Sequence, residues 1–303
     1  MTAVHTVQRG GARFYVSDDD TSIPVPGVTS ILNMIPKPWL AAWQAKMAGE
    51  MAADSIADDY FVPMVKRDRR GAVDWVKGAA ARHNSLRQDI GSGAHIIFEQ
   101  MIRGESPDYS PVEDEYGRDI AARMPVFAAH FAEWLGLAQP TLHSAEDTAW
   151  SDRYGYAGSY DADISVRVDA ETGQLSPDHG EPLRLLTDYK TGKDTYPEVA
   201  VQLTAYAYSD RLISPDGTTR PTPVFDGGAV LHVKEDGWAF KPVRISGDLH
   251  AFFLQCKEFF HAARDWEGEG RGRNRVPGLK DDLIGKPFAQ SSRRAQTGTE
   301  RRK

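Results

Sequence analysis

Cysteine is all but missing from this chain. Cys256 stands alone among 303 residues, which excludes an intrachain disulfide, a cysteine-built zinc site and a four-cysteine iron–sulfur cluster. Long apolar runs are missing too, none approaching the roughly 20 residues a helix needs to span a bilayer. Met1 to Tyr15 lack the apolar core of a secretory signal, so a cytoplasmic setting with no membrane partner is expected. There is no G-x-x-x-x-G-K-[ST] loop to cradle nucleotide phosphates and no internal repeat. Nor is there an overall excess of positive charge: the net charge is -7, which does not advertise a polyanion partner.

The charge is unevenly spread. Arg271 to Lys303 carry +7 and the first 270 residues -14. A basic tail on an acidic body can hold a polyanion near a site whose carboxylates are reserved for metal, although a solvated tail without a specific role has the same composition. Length and composition suit one large folded unit, expected over 1–267, with a helical elaboration at about 25–135, a core at about 91–266 and a flexible tail over 268–303.

Residues Arg13 to Val25 read as strand and turn, ended by the Pro24-Val25-Pro26-Gly27 breaker. Pro38 suits the first turn of a helix, and Leu40, Trp43, Met47 and Met51 follow at helical spacing as a core stripe. The Lys66-Arg67-Asp68-Arg69-Arg70 cluster is either a phosphate contact or a solvated face. Ala72 to Arg87 and Ser92 to Arg103 read as two helices parted at Gly91 and Gly93, followed by a loop over Gly104 to Asp114 and an amphipathic segment over Ile120 to Leu135. The period then changes. Thr141 to Trp150, Ala157 to Val168 and Arg184 to Tyr189 read as strands. Pro197 to Asp210 reads as a helix, Gly228 to Val233 and Trp238 to Ile245 as strands, and Leu249 to Trp266 as a last helix. This order predicts an α/β fold with a mixed central sheet flanked by helices.

Four short patterns carry chemistry. In Gly91-Ser92-Gly93-Ala94-His95-Ile96-Ile97-Phe98-Glu99, His95 and Glu99 share a helix face. In Gly158-Ser159-Tyr160-Asp161-Ala162-Asp163, Asp161 and Asp163 share a strand face inside an apolar run, where an unpaired carboxylate is costly. A metal would account for them, and so would hydrogen bonding at a strand end. In Asp188-Tyr189-Lys190 an acid and an ammonium share one strand face with Tyr189 on the other. Side by side they suit phosphodiester hydrolysis or form a plain salt bridge. In Gln202-Leu203-Thr204-Ala205-Tyr206 an amide and a phenol share a helix face.

Taken together and in this order, the four patterns resemble the PD-(D/E)XK nuclease superfamily, in its RecB-type, phage exonuclease branch. The Val28-to-Leu32 stretch, Pro36-Lys37-Pro38 and the Trp43 helix resemble the N-terminal region of phage members, so the resemblance covers roughly Val25 to Val233. It implies a restriction-endonuclease-like core. It also implies His95, Asp161 and Asp188 as ligands of one or two Mg²⁺ or Mn²⁺ ions, joined by the Tyr189 carbonyl, with Asp161, Asp188 and Lys190 as catalytic residues. Gln202 and Tyr206 would bind DNA or orient Lys190, and Glu99 would stand behind the ligands or hold a second ion. Asp163 and Glu146 are nearby acids left out of this set. Some relatives hold an iron–sulfur cluster, which Cys256 alone cannot bind.

The implied activity is a metal-dependent deoxyribonuclease, exonuclease before endonuclease, in recombination, repair or phage DNA processing. Its setting would be the host cytoplasm if phage-encoded. Its partners would be DNA and a recombinase, a single-strand annealing protein or a helicase supplying the missing motor. The competing expectation is a catalytically inactive nucleic-acid-binding or assembly protein on a nuclease fold.

Overall fold

Three short strands open the chain: β1 (Val4–Arg9), β2 (Ala12–Ser17) and β3 (Asp20–Pro26) form an antiparallel sheet in the order β1-β2-β3. The computed structural model describes residues 4–17, 20–268 and 276–283. By compactness the chain divides into Met1–Lys257 and Glu258–Lys303. Most of the basic tail expected over 268–303 lies outside the described residues. Among those residues, no helix is long and apolar enough to cross a membrane.

Helices follow: α1 (Val28–Leu32), α2 (Trp39–Ala57), α3 (Phe61–Arg67), α4 (Arg69–Lys77) and α5 (Ala79–Ile102). The stripe expected to be core, Leu40, Trp43, Met47 and Met51, is only half-buried. α2 packs on α4 and α5 along one side, as in the edge-to-face contact of Trp43 with His83 at 5.7 Å. The basic cluster straddles the α3–α4 junction on an exposed face, where Asp68 caps α4 by accepting the Gly71 N–H at 2.9 Å.

The two helices expected to part at Gly91 and Gly93 are one helix there. α5 runs straight through both glycines at an intrinsic cost of about 1 kcal/mol each relative to alanine. Packing explains the choice: a Cβ on Gly93 would stand 2.9 Å from Val112 Cγ1 and 3.3 Å from Met124 Sδ. The expected loop over Gly104 to Asp114 likewise turns helical early, because α6 (Ser110–Tyr116) starts there with proline in its first turn. α7 (Arg118–Ala121) and α8 (Met124–Ala138) complete this layer.

The expected strand over Thr141 to Trp150 divides into β4 (Thr141–Ala145) and β5 (Thr148–Ser151). That over Ala157 to Val168 divides into β6 (Tyr156–Ser159) and β7 (Ala162–Val168). Then come β8 (Glu181–Lys190), α9 (Glu198–Ala207), β9 (Arg211–Ile213), β10 (Thr219–Pro221), β11 (Gly227–Lys234), β12 (Gly237–Val243) and α10 (Gly247–Glu267). β9 and β10 were not legible in the sequence. The central sheet runs β12-β11-β8-β7-β4. Only the β8–β11 pair is parallel, so the sheet is mixed. β5 and β6 belong to a second, antiparallel sheet in the order β10-β9-β5-β6.

Side-chain alternation sorts the central sheet into two faces. Ala162, Ile164, Val166, Leu185, Tyr189, Ala229, Leu231 and Val233 join Ile97, Phe98, Phe127, Phe131 and Trp134 of α5 and α8 in the main core. α9 covers the other face, its Leu203 pressing on Gly228. The architecture is mixed α/β, a mixed sheet flanked by helices.

Within the second unit, Gly268 N–H bonds Arg264 O at 2.8 Å, ending α10. A 3₁₀ turn at Leu279–Asp282 begins where Gly278 N–H meets Asp281 Oδ2 at 2.6 Å.

Candidate metal and catalytic centre

Both strand divisions fall at a carboxylate. Between β4 and β5 the chain leaves the central sheet for the second one, and Glu146 sits at the crossing with φ 60°. Such a left-handed backbone costs a non-glycine residue about 1–2 kcal/mol. It persists because its neighbours are pinned. Arg103 donates to the Ala145 carbonyl at 3.1 Å, and Asp147 is held by Arg220 at 2.5 Å and by Tyr160 Oη at 3.2 Å. Between β6 and β7 the chain crosses back, and Asp161 sits at that bend. The crossings are tied directly, Glu146 N–H to Asp161 O at 3.2 Å.

α5 supplies His95. Its Nδ1 lies 3.1 Å from Asp161 Oδ1, and its Nε2 lies 3.0 Å from the Tyr189 carbonyl. The other Asp161 oxygen accepts the Tyr189 N–H. The floor beneath is aromatic: Phe98 stacks on Phe131 at 4.5 Å, and both meet Tyr189 edge-on. His95, Glu146 and Asp161 each offer a ligand atom, all within 4.8 Å of one another.

Lys190 and Asp188 project from the opposite face of β8 to Tyr189. Their Nζ and Oδ2 stand 2.5 Å apart, with Asp188 buried and Lys190 about 37% exposed. Gln202 donates to Asp188 Oδ1 at 3.2 Å and to Tyr206 Oη at 3.2 Å. Gln202 therefore reaches Lys190 only through the carboxylate between them. Tyr206 is buried, and its phenol is turned inward toward Gln202. Its ring also accounts for the glycine of the second pattern: a Cβ on Gly158 would stand 2.6 Å from Tyr206 Cε1.

Four further acids stand in or near the centre. Asp163 stays out of the centre, fully buried in a two-pronged pair with Arg184 at 2.9 and 2.6 Å. Glu99 is engaged by Arg103 at 2.9 Å, the same arginine that holds the Ala145 carbonyl. Glu146, set aside in the sequence, belongs to the tightest group, and Asp188 lies outside that group in its pair with Lys190. The signal for Glu146 was there: two adjacent acids, Glu146 and Asp147, interrupt an apolar alternation.

Burial and mutual charge set the protonation states. For His95 burial disfavours the ring's charge, but the charge and hydrogen bond of Asp161, helped by Asp188, outweigh it and raise the pKa to about 9. Glu146 is pushed up to about 8 by burial and then by Asp161 and Glu99. Burial also raises Asp188 to about 6, against the pull of Lys190 and with Asp161 adding to it. Asp161 goes the other way, lowered because His95 and Lys190 more than offset burial. An imidazole and two carboxylates on a short baseline, with the Asp188 carboxylate nearby, form a donor set that fits a divalent cation once its protons are displaced.

No family model matches the chain, and no curated protein matches it. Among solved structures, one described as "Crystal structure of SSO0001" is similar over 59% of this chain and 77% of its own, at 12% identity and a TM-score of 0.27. That likeness is too loose to bear on the fold or the centre.

A metal-free centre of this kind makes stability fall with rising pH. His95 and Glu146 both hold protons more tightly folded than unfolded. Their contributions are complete below about 6.5 and 4.5 and are lost as pH rises through about 9 and 8, respectively. In EDTA the melting temperature is expected to drop between about pH 6 and pH 9, and Glu146→Gln should flatten part of that drop. Added Mn²⁺ or Mg²⁺ should restore more stability at the alkaline end, where there are fewer protons to displace. Scanning fluorimetry across pH checks this. A cation effect that is equal at both ends would remove these two residues from the centre.

Proposed function

We propose that the chain is a metal-dependent deoxyribonuclease built on a restriction-endonuclease-like core, acting as an exonuclease. The observation that carries this reading is the meeting of His95, Glu146 and Asp161 beside the Asp188–Lys190 pair, five residues drawn from four separate stretches of chain.

A Mg²⁺ or Mn²⁺ ion held by His95, Glu146 and Asp161, with Asp188 alongside, would supply Lewis-acid activation of water and neutralise charge on the phosphate. Without an ion, Asp161 and the Tyr189 carbonyl engage both imidazole nitrogens, so ligation by His95 would release a proton and one of these contacts, the other staying to orient the ring. Lys190 keeps its positive charge: burial opposes it, but Asp188 and Asp161 raise its pKa above the ordinary lysine value. It is therefore a fixed cation that positions the attacking oxygen and meets charge developing on the phosphate, and not a proton-abstracting base. Attack on phosphorus forms one P–O bond and breaks the opposite one, and the departing oxygen takes up a proton to leave a hydroxyl and a phosphomonoester. Gln202 holds Asp188 in register with Lys190.

The test is cleavage of linear, nicked and covalently closed circular DNA with Mg²⁺, Mn²⁺ or EDTA. Metal-dependent loss of linear DNA with closed circles spared is the expected result. Cutting of closed circles would convert the reading to an endonuclease. DNA binding without cleavage under any metal would replace it with a binding protein.

A further inference from the structure

Two large aromatic side chains lie open beside the centre. Trp39, at the start of α2, is 47% exposed, and Tyr196, in the loop between β8 and α9, is 52% exposed. Their rings are nearly parallel, 7° apart, with centroids at 6.0 Å. They are 157 positions apart in sequence, so only the fold brings them together. Exposed apolar side chains gathered into one patch, rather than scattered singly, are a mark of binding sites.

They do not stand alone. Both line a cavity of about 310 Å³ whose walls also include Lys37, Lys190 and Gln202. One wall of this cavity is therefore the catalytic lysine and the amide that holds its partner. Another is a flat apolar surface, and Lys37 adds a second positive charge, with the acids Asp194 and Glu198 also on the lining. Flat π-surface, a cation and a reacting-phosphate group in one cavity suit a nucleotide whose base is free to stack. A base inside a duplex has its faces covered by its neighbours, whereas an unpaired base offers one.

We propose that Trp39 and Tyr196 form a stacking platform for an unpaired nucleobase of a single-stranded DNA end, adjacent to the phosphodiester held at Lys190. The assignment rests on the nuclease reading for the identity of the phosphate site. The stacking itself can be measured without cleavage. Lys37 contacts the backbone of the same strand and contributes without regard to sequence. The platform reads no base edge, so it favours single strands over duplexes without favouring a particular base.

The experiment uses the full chain in EDTA and follows the anisotropy of a short fluorescein-labelled oligothymidylate. Trp39→Ala and Tyr196→Ala should each weaken binding about 10-fold, the equivalent of roughly 1.4 kcal/mol, while Trp39→Phe keeps most of the affinity. An oligonucleotide with one abasic position near its end should lose a similar factor with the wild-type protein and little further with Trp39→Ala. A blunt duplex should be indifferent to both alanine variants. Unchanged oligothymidylate binding by both variants, with wild-type cleavage intact, would overturn the platform and leave the nuclease. Platform-dependent binding without any metal-dependent cleavage would support the platform and sink the nuclease. A wild-type chain that neither binds nor cleaves DNA overturns both.

Discussion

Lys190→Ala is expected to lower metal-dependent cleavage of linear DNA by about three orders of magnitude, the scale seen when one preorganised charge donor is removed from a transition state. Lys190→Arg should rescue little, because a planar guanidinium cannot take the place of an ammonium held 2.5 Å from Asp188 in a confined setting. The diagnostic feature is a separation of effects. Removing a cation makes the centre more negative, so Mn²⁺ should bind Lys190→Ala at least as tightly as wild type while turnover collapses. Asp161→Asn should do the reverse first. It keeps the volume but removes one anionic ligand of the donor group, so metal affinity falls along with activity. Calorimetric titration of Mn²⁺ beside single-turnover cleavage separates the two. Lys190→Ala that retains a tenth or more of wild-type turnover would remove the lysine from the chemistry.

The second large effect is on stability. Asp163 is fully buried in β7, and Arg184 of β8 answers it with two hydrogen bonds. Arg184→Ala would strand a carboxylate in the interior, and such losses cost about 3–5 kcal/mol. Asp163→Asn combined with Arg184→Ala should recover a good part of that, because the stranded charge is gone. Urea denaturation gives both numbers. Cleavage per folded molecule should stay at the wild-type level in either variant, since Asp163 takes no part in the centre. A metal-affinity loss in the double variant, measured well below its melting point, would bring Asp163 into the ligand set.

Asp163 also shows where the sequence was readable and where it was not. The period-two alternation of Leu185 to Lys190 gave the strand, its two faces and the Asp188–Lys190 pair, because those are local properties of one extended run. The helical spacing around His95 gave its helix. What stayed hidden was decided between distant segments. The run over Ala157 to Val168 looks like one strand, yet two sheets compete for it and divide it at Asp161. The same competition divides Thr141 to Trp150 and delivers Glu146 to His95 and Asp161, a meeting that the adjacent acids Glu146 and Asp147 do not by themselves foretell. Arg184 answers Asp163 from 21 positions away. Gly91 and Gly93 resemble a helix stop until Val112 and Met124 arrive against Gly93.

The two crossings have a dynamic consequence. Glu146 and Asp161 are the only side chains of the three-residue donor group that stand where the chain passes from one sheet to the other, and one backbone hydrogen bond links them. A cation gripping both would act as a rivet between the two β-layers at the points where the chain crosses. Slow amide exchange would then spread from the central sheet into β5 and β6 when metal binds, beginning at the Glu146 N–H, and the two layers would unfold as one cooperative block.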